Sequence, residues 1–331
     1  MVHSRLNARC SRFLLIAAVL LAAFAFAPAA GAQNYPVRPV RLVAPFAPGG
    51  GTDVNARILA DPLGKALGQT VVVDNRPGAG SILGSDIVAK ANPDGYTLLI
   101  NSISITINPA VFNKLPFSVT RDFSPISLVS DQPNIVVANL SLPAKSLMEF
   151  AKLAQSQPDK YTFGTPGAGT GIHLASELLL QKLNAKLLHV PYKGTGPALT
   201  ALLSNEISVY LSTFASALPH VKANRMRAYA VTTAKRADPL PDVPTVAEAG
   251  VPGYDYATWY GMLAPAGTPR PIIAKLNQAL VATLNSPEVR RLFVTQGLNA
   301  LPTTPEQFAK YIRSEMTKWE GAARSAKLAR R

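Results

Sequence analysis

Short apolar runs and amphipathic stretches alternate along most of the chain. Runs at 40–44, 71–74, 97–100, 135–138, 161–164, 187–190, 207–211 and 227–232 are apolar, and most end at glycine, proline or asparagine, which predicts buried strands. Between and after them, apolar positions recur at helical spacing over 53–67, 81–91, 146–155, 172–183, 196–203, 271–284, 287–296 and 305–326. Strands alternating with helices imply α/β architecture with largely parallel sheets. Pro62 lies inside the first helical stretch and is expected to bend it, because an interior proline costs about 3 kcal/mol.

Ahead of the first strand the pattern changes. Arg5, Arg9 and Arg12 precede an apolar run over 13–27, and Ala30-Gly31-Ala32 follows, which reads as a cleavable export signal over residues 1–32. The apolar run is short for a membrane span. The chain's single cysteine, Cys10, leaves with this segment, so the exported part has no disulfide and no cysteine-based metal site. Its stability must rest on a large core, which about 300 residues can build. Loss of the three arginines lowers the net charge from +14 to +11. The remaining basic residues are scattered, with the longest cluster at Arg324, Lys327, Arg330 and Arg331, and none interleaves with aromatics as a nucleic-acid surface would.

Candidate chemistry sits in the loops after the strands. The run 40–53 reads as a strand, a loop ending Gly49-Gly50-Gly51, and a helix that Thr52 or Asp53 can cap. Three glycines and a helix start offer backbone N–H groups and about half a positive charge to a small anion. A tight turn without a ligand is the plain alternative. The loop lacks the lysine of a phosphate-binding P-loop. At 71–84, Gly78, Gly80 and Gly84 miss the dinucleotide spacing, since Leu83 stands where the third glycine belongs. The run 161–174 repeats strand, glycines and helix, and Thr165 and Thr170 supply hydroxyls. His173 on the following first turn either touches a ligand or packs beneath the loop. A further strand-to-helix loop runs from His189 through Lys193 to Ala198.

Two stretches, 128–138 and 250–265, interrupt the periodicity where the chain would change lobe. Crossings there divide it into a first lobe of 33–133 plus 256–331, containing both ends, and a second lobe of 134–255. A cleft would then lie between the lobes.

The runs 35–41, 45–53, 75–80, 92–99, 164–174, 189–194, 240–245, 259–261 and 264–269, in that order, resemble the Bug-type periplasmic substrate-binding receptors of tripartite tricarboxylate transporters. The resemblance runs from Tyr35 nearly to the C-terminus. It implies a two-lobe α/β fold of the type II (Venus flytrap) periplasmic-binding class, closing on a small carboxylate. By motif match the ligand would meet Phe46, Ala47, Gly49, Gly50, Gly51, Thr52 and Asp53 on one side and Thr165, Gly169, Thr170 and His173 on the other. Asn101 and Ser102 would lie at the cleft edge, and Thr213, Phe214 and Ala215 at positions that vary in the family and set ligand preference. Two departures from the pattern, Asn205 and Asn224, stand where a left-handed backbone suits glycine, and asparagine is the next best residue there.

An enzyme would need a nucleophile–base pair or a metal site. The exported part has His173, His189 and His220, no cysteine, and no cluster of acids at ligand spacing. No catalytic residue, metal or cofactor is therefore expected. Asp53 and His173 meeting across the cleft as an acid–base pair is the hydrolase or lyase alternative. The resemblance implies a periplasmic monomer whose partners are an organic carboxylate and the membrane subunits of a transporter, not nucleic acid. Presentation of the bound solute to a membrane sensor kinase is the other reading of the same cleft.

Overall fold

The computed structural model describes residues 35–325. The leader expected at 1–32, with Cys10, and the tail residues Lys327, Arg330 and Arg331 lie outside the described residues. Strands β1 (Val40–Ala44), β2 (Val71–Asn75) and β3 (Thr97–Ser102) form a parallel set in the order β2-β1-β3. Helices α1 (Gly51–Leu67) and α2 (Ile82–Ala89) make the crossovers, and α1 is continuous through Pro62. After β3 come α3 (Ser104–Val111) and the long strand β4 (Phe123–Ala138).

β4 belongs to two sheets. From Phe123 to Pro133 it pairs antiparallel with β9 (Ala257–Pro265), which in turn pairs antiparallel with β3. From Asn134 to Ala138 it pairs antiparallel with β7 (Val209–Thr213) and β8 (Arg227–Val231). Strands β5 (Thr162–Thr165) and β6 (Leu188–Pro191) complete the second sheet, parallel to β7. Helices α4 (Leu147–Ser156), α5 (Gly171–Lys182), α6 (Thr195–Leu203) and α7 (Phe214–Lys222) belong to this second lobe. The chain returns through β9 to α8 (Arg270–Asn285), α9 (Pro287–Thr295), the short β10 (Asn299–Ala300) on β4, and α10 (Pro305–Ser325).

The sheets are thus mixed where the sequence suggested largely parallel ones. Strands joined by helical crossovers within the first lobe are parallel, whereas β4 and β9, where the chain passes between lobes, run against their partners β7, β8 and β3 and against each other. β9, α3 and α7 were not among the elements the periodicity predicts. β9 is buried almost throughout and so shows no alternation, while α3 and α7 are short and carry Pro109 and Pro219. At Asn205 and Asn224 the backbone is left-handed, with φ of 62° and 52°.

One core lies between the first sheet and helices α1 and α8, around Leu42, Leu59, Leu63, Leu98, Ile100, Met262 and Leu280. A second runs through the other lobe, around Ile135, Phe150, Phe163, Tyr210 and Phe214, and continues to Phe308, Ile312 and Trp319 on α10. The buried Glu315 of α10 accepts hydrogen bonds from both Trp259 Nε1 (2.9 Å) and Trp319 Nε1 (2.8 Å), which fastens α10 to β9.

Candidate functional site

Pro45 ends β1, and the chain turns through Phe46–Gly50 into α1. Gly49 is left-handed (φ 82°). The helix starts two residues earlier than the pattern suggested, with extended Gly50 as its N-cap and no side-chain cap. Its first amides therefore have no intrahelical acceptor. Asp53 serves the loop: its Oδ2 accepts from Gly49 N–H at 3.0 Å, and both carboxylate oxygens accept from Arg57 Nε at 3.0 and 2.9 Å.

Phe46, Gly50, Gly51 and Thr52 line a cavity together with Ser102, Ile103 and Ser104 at the end of β3. The second lobe contributes Pro166, Thr170, Ile172, Thr195 and Thr213, and the strand and loop of the return crossing contribute Tyr256, Thr258 and Tyr260. Among the described residues, the wall is therefore built from the starts of five helices, α1, α3, α5, α6 and α7. Helix starts favour anions, and no lining residue is a Lys, Arg, Asp or Glu. The cavity is narrow, with a volume of about 20 Å³, room for about one water.

A buried hydrogen-bond relay crosses the base of the site. Gln132 Oε1 accepts from Ala215 N–H at 3.0 Å, which fixes the amide's orientation, so Gln132 Nε2 donates to the Tyr260 hydroxyl at 2.6 Å. The phenolic hydrogen of Tyr260 is then available to the cavity. Burial holds both the Tyr260 and Tyr256 phenols far above the usual range, so each remains a neutral donor.

The residues singled out in the sequence divide into two groups. Phe46, Gly50, Gly51, Thr52, Ser102, Thr170 and Thr213 line the cavity. The others brace it. Ala47 N–H donates to the carbonyl of Lys193 on the opposite lobe at 3.1 Å. Thr165 Oγ1 pairs with His189 Nε2 at 2.7 Å, and Thr170 Oγ1 donates to Gly167 O at 2.7 Å, so these hydroxyls are engaged inside their own loop. His173 lies beneath it: Nδ1 accepts from Gly169 N–H at 3.2 Å, and the ring stacks on His189 at 4.2 Å. Asn101 Nδ2 donates to Ser85 Oγ at 3.0 Å. Phe214 is fully buried, against Gly297.

Sequence reasoning missed Ser104, Thr195, Tyr256, Thr258, Tyr260 and Gln132. Tyr256, Thr258 and Tyr260 stand in a stretch that reads as a lobe crossing, and the distance of Gln132 from every glycine loop in sequence hid it.

A family model described as the tripartite tricarboxylate transporter family receptor matches residues 55–327. Three solved structures are similar over nearly their whole length. The periplasmic binding protein BugD superposes with a TM-score of 0.87 at 34% identity, covering 90% of this chain and 100% of that one. An R. palustris protein with adipate gives the same TM-score of 0.87 at 34% identity, with coverages of 90% and 100%. MatC from Rhodopseudomonas palustris with bound malate gives 0.81 at 36%, with coverages of 87% and 99%. The fold is the two-lobe periplasmic-binding fold with its cleft between lobes, and no described helix is long and apolar enough to cross a membrane. The chain belongs to the tripartite tricarboxylate transporter receptor family.

Proposed function

We propose that this protein is a periplasmic receptor that captures a small dicarboxylate between its lobes and hands it to the membrane subunits of a tripartite transporter. The observation that carries this reading is the wall of five helix starts with no charged side chain. Such a wall offers ionised acceptors hydrogen bonds worth about 1.5–3 kcal/mol each without burying a counter-charge. Malate and adipate, seen with two similar proteins, are ligands of this chemistry.

One carboxylate is assigned to the amides at Gly50, Gly51 and Thr52, beside Phe46. The remainder is assigned to Ser102 and Thr213 together with Tyr256, Thr258 and Tyr260. Thr170, whose hydroxyl donates to Gly167 O, walls the cavity, Ala47, Gly49, Asp53, Thr165, Gly169 and His173 shape the two loops, and Asn101 and Phe214 support the elements behind them. The lobes are taken as 33–133 plus 256–331 and 134–255, a division supported by the exchange of partners at Pro133 and Asn134. A cavity of about 20 Å³ cannot admit a dicarboxylate, so the lobes must part and close again. Closure can shift only as far as the ligand prefers the closed form. Residues 1–32 act as the cleaved export signal, and the receptor works as a monomer without catalysis.

Thermal-shift and calorimetric titration with malate, adipate, succinate and monocarboxylate controls tests the reading. A ligand at about 100 times its Kd should stabilise the fold by about 2.7 kcal/mol. No stabilisation by any carboxylate overturns it.

A further inference from the structure

Asn108 lies in α3, fully buried and outside the ligand cavity. Its side-chain amide has two hydrogens, and each meets a different lobe: Nδ2 donates to Gly80 O at 3.3 Å in the first lobe and to Gly169 O at 3.3 Å in the second. Two carbonyl acceptors require the nitrogen on that side, which leaves Oδ1 to accept from Ser81 Oγ at 3.2 Å. Asn101 Nδ2 reaches the same Ser81 Oγ at 3.4 Å, so a directed chain runs from Asn101 through Ser81 and Asn108 to the opposite lobe.

The turn that carries this chain is strained. Ala79, Gly80 and Ser81 are left-handed in succession, with φ of 46°, 61° and 85°. Such conformations cost an L-residue roughly 1–2 kcal/mol each and persist where the surroundings hold them. The turn presents the bare Cα of Gly80 to the opposite loop, where an added Cβ would stand 2.6 Å from Ala168 O. Phe112, at the end of α3, covers Gly169 on the same seam.

We propose that Asn108 is the closure latch of this receptor, a positioning residue that ties the strained 79–81 turn to the 167–169 loop and sets how long a ligand is held. This rests on the receptor reading only for its ligand-release arm. Ser104 and Gln132 also bridge the lobes, through Gly171 N–H at 3.2 Å and Ala215 N–H, but Ser104 lines the cavity and Gln132 holds Tyr260. Asn108 links closure to a contact that touches no ligand.

The test places spin labels at Lys65→Cys on α1 and Lys152→Cys on α4, in full-length chain with Cys10→Ser, and reads the interlobe distance by electron–electron resonance without ligand. The short-distance population of the parent should shift to longer distances in both Asn108→Ala and Gly80→Ala, which attack the seam from different residues. Asn139→Ala, which removes a buried bond to Ile207 O (2.8 Å) inside the second lobe, should leave the distance unchanged. Release of malate or adipate should quicken roughly tenfold in Asn108→Ala, as expected for the loss of about one interlobe hydrogen bond. Unchanged distances in both seam variants overturn the latch, and so does an equal lengthening in Asn139→Ala. Failure of every carboxylate to bind the parent overturns the receptor reading, while the distances still decide the latch.

Discussion

The hydroxyl oxygen of Tyr260 fills the place where a side chain on Gly51 would begin: a Cβ there would stand 2.0 Å from it and 2.6 Å from Gln132 Nε2. The glycine is needed because a phenol from the return crossing rests on the first turn of α1.

Gly51→Ala should therefore be far more damaging than Gly50→Ala, although both lie in one loop. At Gly50 the nearest atom to a new Cβ would be Thr195 Cβ, at 3.3 Å, which needs only a small adjustment. Calorimetric titration with the best carboxylate should show at least a hundredfold weaker binding for Gly51→Ala and less than tenfold for Gly50→Ala. Equal losses would mean that the Tyr260 contact does not shape the site.

Gln132→Leu keeps the bulk but leaves Ala215 N–H and the Tyr260 hydroxyl without their partner. Each buried group left unpaired costs about 1–3 kcal/mol. We expect a lowered urea midpoint together with at least tenfold weaker ligand binding. A variant that loses stability but binds as the parent does would separate Gln132 from the site.

The titratable groups lining the cavity are Tyr256 and Tyr260, both held far above the ordinary phenol range by burial. Affinity for a fully ionised dicarboxylate should be flat from pH 7 to 9. Fold stability behaves differently at high pH. Phenols with raised folded values, Tyr210 and Tyr254 included, contribute fully below the unfolded value of about 10. Above it the unfolded chain alone releases these protons, so stability falls as pH rises. Melting curves between pH 8 and 11, followed by tyrosinate absorbance, should show the phenols ionising together with unfolding. Early, independent ionisation of these tyrosines would contradict their burial.

Glu315→Ala removes the shared acceptor of two buried indoles and should destabilise by about 2–4 kcal/mol, roughly two groups left unpaired. Tryptophan emission should change, because both indoles of the chain are involved. Wild-type stability in this variant would show that the indole bonds contribute little.

Much of the architecture could be read in advance because each element was decided locally. β1, β2, β3 and the crossover helices α1 and α2 follow from apolar runs punctuated by Pro45, Asn75 and Gly68, and the left-handed turns at Asn205 and Asn224 follow from residue type. The antiparallel pairing of β4 with β9 joins Phe123 to Pro265, and no local pattern encodes so distant a partner. The site divides along the same line. Gly50, Gly51 and Thr52 lie on a strand-to-helix loop that its glycines mark in the sequence, whereas Tyr256 and Tyr260 reach the cavity only through tertiary placement. Asn101 shows a finer limit: it sits at the expected strand end, yet its amide turns toward Ser81 and Ser85, away from the cavity wall that Ser102 lines. Position along the chain locates a residue, but packing decides where its side chain points.

β4 is one unbroken ribbon that exchanges partners between Pro133 and Asn134. Proline has no N–H to donate, so at this joint Pro133 can join the ladder only through its carbonyl, which leaves fewer bonds to strain when the strand flexes. Parting of the lobes would bend such a ribbon as a leaf spring flexes, not swing two bodies on a slack tether. Rotation at such a joint moves nearby atoms little and the outer rims most, as any lever arm does. The base of the cleft can therefore keep its geometry through opening while the rims make the largest excursion.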